Sequence, residues 1–223
     1  MGSGAQPTLR FPLMLLAIAN LAILGVRLWP WQDVPNLPLN GAAGIDPAVC
    51  LLGYMGIIFW FGRNTQEPMQ RALGTGTLLG ILGGCLLVAE ILLQGHAAAQ
   101  DVATPSLAIK GLSAAAGILW GVAGLRSMRL TGNAGIGMLC GAWSALASSL
   151  MAATALLTQV YYAAPPPESS DPWKQYEGLA IGNPAIQGLV HTLNSVTFFL
   201  LVGPLAGAAI GLFFAFFGQK GKD

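Results

Sequence analysis

The sequence predicts an all-α integral membrane protein, a bundle of six transmembrane helices, and three observations support this fold class. First, 54% of the 223 residues are hydrophobic and only 9% are charged, whereas soluble proteins average about 25% charged residues. Second, the hydrophobic residues form blocks long enough to cross a bilayer, which requires about 20 residues as an α-helix. Third, basic residues collect on one side of the membrane when successive blocks alternate in direction.

The predicted spans occupy most of the chain, which leaves a single transmembrane domain at residues 10–217 and no separate soluble domain. A short polar N-terminal tail, residues 1–9, precedes it, and a basic cytoplasmic tail, residues 218–223, follows it. The longest connection is a Pro-rich outer loop at residues 163–184. The six spans lie at about residues 10–29, 46–62, 72–94, 106–126, 134–160 and 186–217.

The distribution of charge predicts the orientation of the bundle. The net charge is only +1, which gives no reason to expect a nucleic-acid partner. Short loops rich in Lys and Arg stay in the cytoplasm, so both termini are predicted to be cytoplasmic. We expect a multi-pass protein of the cell membrane, in a bacterial inner membrane, surrounded by the lipid bilayer. The basic residues on the cytoplasmic side are Arg10, Arg63, Arg71, Arg126, Arg129, Lys220 and Lys222.

The first two spans carry the boundary signals of membrane helices. Span one ends in Arg27-Leu28-Trp29-Pro30-Trp31, and tryptophans are typical of a helix that reaches the membrane interface. Span two begins at Asp46-Pro47, an N-cap followed by a proline at the first helical position. Asn20, in the middle of span one, predicts a hydrogen bond to another helix; a position along a solute path is the alternative.

Glycines at four-residue spacing predict how the helices pack. In lipid, small residues that let helix backbones approach closely are the main packing device. We interpret two GxxxGxxxG ridges as contacts inside the bundle, and a homo-oligomer interface is the alternative. The ridges are Gly76, Gly80 and Gly84 on span three, and Gly203, Gly207 and Gly211 on span six.

A weak internal repeat relates the second and third spans to the fourth and fifth. Gly74-Thr-Gly76 matches Gly135-Ile-Gly137, and Gly80 matches Gly141, at a constant offset of 61 residues. The repeat predicts two related helical hairpins, as in many membrane transport folds. Shared glycines also arise by chance in a chain with 30 glycines, and that alternative stays open.

Glu90 and Lys110 lie within spans three and four, at similar distances from the predicted turn between Gln94 and Pro105. A charge inside a hydrocarbon span costs about 2.5–3.5 kcal/mol on insertion scales, so the two are predicted to face protein and form an ion pair. The alternatives are that Lys110 extends to the lipid head groups, or that the charges belong to a substrate path. The candidate intramembrane polar cluster, at the outer ends of the spans, comprises Glu90, Lys110, His191, Asn194 and Arg27.

The Pro-rich outer loop is the best candidate for contact with a partner. Three consecutive prolines predict a stiff extended segment, and the aromatic and charged residues after them predict a short helix on the membrane surface. Trp173 and Tyr176 are the candidate contact residues.

No motif in the sequence indicates catalysis. The chain has no HExxH, no GxSxG and no phosphate-binding loop, and its three cysteines show no metal-ligand spacing. We therefore predict no enzyme activity, no cofactor and no metal.

Two classes of function remain. Carriers usually place polar side chains and broken helices at the bilayer midplane, where this sequence has few polar groups. The sequence therefore favours a non-catalytic subunit or scaffold of a larger membrane protein complex, with other membrane protein subunits as partners. The alternative is a small-solute transporter or channel that uses the outer polar cluster.

Overall fold

The computed structural model describes residues 10–29, 45–64, 67–99, 106–162 and 184–219, which form six α-helices. A helix satisfies all of its backbone hydrogen bonds within itself, which a chain in a hydrocarbon environment requires. The helices are α1 (Arg10–Leu28), α2 (Ile45–Asn64), α3 (Glu67–Ala99), α4 (Ser106–Thr131), α5 (Ala134–Tyr162) and α6 (Pro184–Gln219).

Four of these helices are long and apolar enough to cross a membrane, which indicates a membrane-embedded protein. The apolar segment of α2, Asp46–Phe61, is shorter, and α4 is not among the four. Within its described residues, α4 carries Lys110, Arg126 and Arg129, and these charged side chains lower its hydropathy. The four segments are Phe11–Leu28, Met69–Gly95, Ala134–Gln159 and Gly188–Gly218.

The helix α3 is longer than the sequence predicts. A turn is predicted to begin at Gln94, but the helix continues to Ala99. The segment ends in three consecutive alanines, which have the highest helix propensity of all residues and outweigh Gly95. At the other end, α3 begins at Glu67, and Pro68 is tolerated there because the first-turn N–H has no helical acceptor.

The helix α5 lies at the centre of the bundle. It packs against α1, α3, α4 and α6, and 72% of its apolar segment is buried, against 39% or less in the other three segments. Every residue from 143 to 150 is buried, and most of them are Ala or Ser. Small side chains of this kind allow neighbouring helices to approach α5 from several sides.

Both glycine series face α5. A Cβ placed at Gly80 would lie 2.7 Å from the Cβ of Ala147, and one at Gly211 would lie 2.9 Å from the carbonyl oxygen of Gly137. Carbon atoms do not approach other atoms so closely without strain, so these positions of α3 and α6 require glycine. The remaining glycines of the two series, Gly76, Gly84, Gly203 and Gly207, also meet α5 atoms at such distances.

Asn20 attaches α1 to α5. Its side chain is fully buried, and Nδ2 donates a hydrogen bond to the carbonyl oxygen of Leu150 at 3.0 Å. This is the hydrogen bond between helices that the sequence predicts for Asn20.

The helix α2 does not pack as the internal repeat predicts. Its main neighbours are α1 and α6, whereas α4 and α5 pack closely against each other. The reason is that the neighbours of α3 already take its glycine faces: Gly80 meets α5, and Gly83 meets Trp120 of α4 as well as Ser148 of α5. The second and third helices therefore do not form a hairpin like the one formed by the fourth and fifth.

A two-residue connection joins α4 to α5. Gly132 has a φ of 71°, a left-handed conformation that glycine adopts without strain, and its N–H donates to the carbonyl of Met128 at 2.6 Å. Asn133 then caps α5, because its Oδ1 accepts a hydrogen bond from the N–H of Gly135 at 2.8 Å. The two residues make the sharp reversal that places α4 and α5 side by side.

Candidate functional site

The carboxylate of Glu90 joins α3 to α4. Ser113 of α4 donates a hydrogen bond to Oε2 of Glu90, and Gln94, one turn later in α3, donates to Oε1 at 3.2 Å. Glu90 is half-buried. The two donors offset part of the cost of placing a carboxylate among apolar helices.

Lys110, the predicted ion-pair partner, lies about one turn before Ser113 on α4 and is exposed. Within the described residues, Glu90 contacts Ser113 and Gln94 and forms no ion pair with Lys110. The longer α3 explains the difference. Because α3 continues to Ala99, Glu90 lies further from the end of its helix than the sequence predicts. The part of α4 at the same depth as Glu90 is therefore nearer to Ser113 than to Lys110.

Two buried tryptophans connect helices through hydroxyl groups. Nε1 of Trp120 in α4 donates to Oγ of Ser148 in α5 at 3.0 Å, and Ser148 donates to the carbonyl of Gly80 in α3 at 2.8 Å. Nε1 of Trp143 in α5 donates to Oγ1 of Thr77 in α3 at 2.9 Å. These polar side chains bind protein atoms, and they hold the three helices together.

A cleft of about 460 Å³ lies between α4 and α6, and we call it the α4–α6 cleft. Its volume falls in the range of about 300–1,000 Å³ typical of small-ligand sites. Its lining is apolar except for the hydroxyl of Ser113 and the indole nitrogen of Trp120. Residues that line it include Leu87 of α3, Ser113, Gly117 and Trp120 of α4, and Phe198 and Val202 of α6.

The α4–α6 cleft narrows where glycines bring the two helices together. A Cβ at Gly124 would lie 2.6 Å from the Cα of Gly211, and the ring of Phe214 covers Gly121. Towards the beginning of α4 the contact is looser, because among the described atoms a Cβ at Gly117 would meet only Cδ1 of Ile210, at 3.6 Å; Ser113 lies one turn before Gly117. The cleft therefore has a closed apolar end and an open end at the Glu90–Ser113 hydrogen bond.

His191 and Asn194 are exposed on α6. They lie seven and four residues before Phe198, and so share the face of α6 that lines the cleft. The structure thus brings Glu90 to α4 through Ser113, whereas Lys110, His191 and Asn194 have exposed side chains.

Arg27, another predicted site residue, is half-buried in the last turn of α1. That helix packs mainly against α2 and α5. Trp173 and Tyr176, the predicted partner contacts, lie outside the described residues.

The chemistry of the cleft is that of a site for an apolar ligand with a polar end. In the described part of the chain, no group of three His, Cys, Asp or Glu side chains is placed to hold a metal ion. Cys50, Cys85 and Cys140 are free thiols.

The sequence alone predicts neither the cleft nor a role for Ser113. The signal is the spacing of Ser113, Gly117 and Trp120, which puts a hydroxyl, a glycine and an indole on one face of α4. These residues form part of a site only because α6 diverges from that face of α4. The sequence of either helix alone does not show how far apart the two helices lie.

Comparisons with protein-family models, with curated proteins and with solved structures give no match to this chain.

Proposed function

We propose that this chain is a non-catalytic membrane protein that acts as a subunit or scaffold of a larger membrane protein complex. The observation that supports this function best is a glycine-containing face of α2 that no described residue covers.

That face carries Gly53 and Gly56. No atom of the described residues lies within 4 Å of a Cβ placed at either glycine, and Val49, Leu52 and Trp60 beside them are exposed by 59%, 58% and 63%. A glycine that faces lipid lowers helix stability by about 0.5–1 kcal/mol relative to alanine and contributes no packing. A helix of another subunit that packs against these glycines would recover that loss.

The interior of the bundle supports a structural role. The buried side chains of Asn20, Thr77 and Ser148 each bind a neighbouring helix or its side chains. Polar groups at the midplane thereby contribute to helix contacts, whereas carriers use them to bind substrate and coupling ions.

In this proposal all six helices cross the cell membrane, a bacterial inner membrane, with both termini in the cytoplasm. The 26 residues of α4 span about 39 Å and the 20 residues of α2 about 30 Å at 1.5 Å per residue, so both are long enough to cross a hydrocarbon core of about 30 Å. Three helices that are apolar enough to span, α3, α5 and α6, surround α4. Labelling of a single cysteine at Gly132 from the cytoplasmic side only would support this orientation.

Purification from native membranes in a gentle detergent, followed by mass spectrometry of bound proteins, tests the function. We expect partner chains in fixed stoichiometry with this one. A pure monomer or homo-oligomer in several mild detergents would contradict the proposal.

A double substitution, Gly53→Leu with Gly56→Leu, tests the open face of α2. It should release the partner chains without lowering the melting temperature of the protein. Gly111→Leu is the matched control, since no described atom lies within 4 Å of a Cβ at that glycine either. Partner chains retained at wild-type stoichiometry in the double variant would show that this face is not the interface.

The predicted contact loop needs its own variant. Trp173→Ala with Tyr176→Ala should release partners if the loop is a docking element, and unchanged co-purification would argue against that role.

A small-solute transporter or channel is the second candidate, because Glu90 and Ser113 meet at the open end of the α4–α6 cleft. A protein that purifies without partners and is stabilised by one solute in a thermal-shift screen would favour this candidate.

A further inference from the structure

We infer that the α4–α6 cleft binds one phospholipid of the surrounding bilayer, a lipid whose head group carries a primary ammonium. The acyl chain lies along the cleft, and the head group lies at the open end beside Glu90 and Lys110. Such a site goes beyond the proposed function, because a subunit or scaffold does not require a bound lipid.

The dimensions of the cleft fit a hydrocarbon chain. Along α6 the lining runs from Phe198 to Phe214, a length of about 24 Å at 1.5 Å per residue. The volume of about 460 Å³ lies within the range of about 300–1,000 Å³ typical of small-ligand sites. A cleft of this length and volume accommodates an extended acyl chain.

The lining of the cleft is continuous with the lipid-facing surface of the bundle. Ile118, Phe198 and Val202 all line it, and they are exposed by 56%, 59% and 40%. The indole nitrogen of Trp120 is already hydrogen-bonded to Ser148, so the ring presents apolar surface to the cleft. An acyl chain that moves from the bilayer into the cleft therefore stays in an apolar environment. Its van der Waals contacts with these side chains favour binding.

Glu90 provides the acceptor for the ammonium. An ionised carboxylate has about four lone-pair sites, and Ser113 and Gln94 each occupy one. An ammonium at the open end can occupy another and form a charge-assisted hydrogen bond. Glu90 lies three residues after Leu87, which lines the cleft, so the two share one side of α3.

Lys110 provides the opposite charge. It lies four residues before Ala114 and seven before Gly117, which both line the cleft, so it shares their face of α4. Its side chain is exposed and can reach the phosphate of the same lipid while Glu90 binds the ammonium. A carboxylate and an ammonium at one end of the cleft complement the two charges of a zwitterionic head group.

Native mass spectrometry of the full chain in detergent tests this site. The protein is titrated with phospholipids that have identical acyl chains and ethanolamine, choline or glycerol head groups. We expect the first ethanolamine lipid to bind about fivefold more tightly than the choline lipid, as one exposed charged contact allows. The quaternary ammonium of choline cannot donate a hydrogen bond to Glu90.

Substitutions in and beside the cleft distinguish binding of the acyl chain from binding of the head group. Ala114→Phe should fill the cleft and weaken binding of the ethanolamine lipid about tenfold, whereas Ala22→Phe, at an exposed position of α1, is the matched control. Gly117→Val narrows the cleft by a second route, since a Cβ there has its nearest contact with Cδ1 of Ile210, at 3.6 Å. Glu90→Gln should abolish the preference for ethanolamine over choline.

Three results would overturn the assignment. Unchanged lipid binding in both Ala114→Phe and Gly117→Val would place the lipid elsewhere on the protein. Equal affinity of the wild type for the three head groups, or a preference for the anionic glycerol lipid, would refute the roles of Glu90 and Lys110. Release of a partner protein by Ala114→Phe but not by Ala22→Phe would identify a protein as the occupant.

Discussion

The hydroxyl of Tyr54 in α2 donates a hydrogen bond to the backbone carbonyl of Leu200 in α6. Residue 204, one turn after Leu200, is a proline inside α6, and proline has no N–H to donate to that carbonyl. Tyr54 therefore supplies the donor that α6 loses at Pro204. Because unsatisfied backbone groups are costly in a membrane, this hydrogen bond completes α6 and attaches α2 to it.

Replacing Tyr54 with Phe should destabilise the bundle by an amount that depends on Pro204. Hydrogen bonds between membrane helices contribute about 0.6–2 kcal/mol, and Tyr54→Phe leaves the Leu200 carbonyl without its donor. In a Pro204→Ala background, the amide of residue 204 can bind that carbonyl, so Tyr54→Phe should cost less. The free energy of unfolding of the four proteins in detergent measures this coupling, and equal costs in both backgrounds would contradict the relationship.

Ser113→Ala should destabilise the protein, whereas Lys110→Met should change its stability little. A hydrogen bond to a charged group contributes about 1.5–3 kcal/mol, and Ser113 donates one to Glu90. Double-mutant cycles in detergent unfolding should show coupling between Glu90→Gln and Ser113→Ala. Additive effects of Glu90→Gln and Lys110→Met are expected, and strong coupling between these two would instead support the ion pair that the sequence predicts.

Gly80→Ala should destabilise the bundle by about 1–3 kcal/mol, the usual cost of overpacking. The new methyl group would lie 2.7 Å from the Cβ of Ala147, which forces α3 and α5 apart. Gly53→Ala is the control, because its methyl group meets no described atom within 4 Å, and it should stabilise the protein by about 0.5–1 kcal/mol through helix propensity. Similar melting temperatures for the two variants would show that α3 and α5 are not in close contact.

Trp120→Phe should lower the stability by about 1 kcal/mol or more, because it removes the hydrogen bond to Ser148 together with part of the packing. Trp60→Phe should change it by less than about 0.5 kcal/mol, since Trp60 is 63% exposed. Chemical denaturation in detergent compares the two variants. A larger loss in Trp60→Phe would mean that Trp60, and not Trp120, is the buried ring.

The helices follow from the sequence because hydrophobic blocks and their boundary residues are local features. Asn20 illustrates what can be derived in addition: an amide in the middle of an apolar helix must find a partner, so a hydrogen bond to another helix is predictable, although Leu150 as the acceptor is not. The glycine series likewise identify faces that approach another helix, without identifying α5 as that helix.

The candidate site depends on the axial register of α3 against α4, that is, on which residues of the two helices lie at the same depth. The sequence specifies this register poorly. Glu90 is recognisable as a costly residue that needs donors, but a helix boundary displaced by five residues changes its α4 neighbour from Lys110 to Ser113. The Tyr54–Leu200 hydrogen bond illustrates the same limit. Pro204 shows that a carbonyl loses its donor, and only the packing of α2 against α6 shows which side chain replaces it.

The central position of α5 has a consequence for biogenesis. The ribosome produces α1, α3 and α4 before α5, so three of its neighbours are available when it enters the membrane, but α6 is synthesised afterwards. Until then the Gly141 and Ser149 side of α5, which α6 covers at Gly207 and Gly203, faces lipid or an insertion factor. Folding of this protein is therefore completed only after translation of α6, and a nascent chain arrested before residue 184 presents quality-control proteases with an uncovered α5.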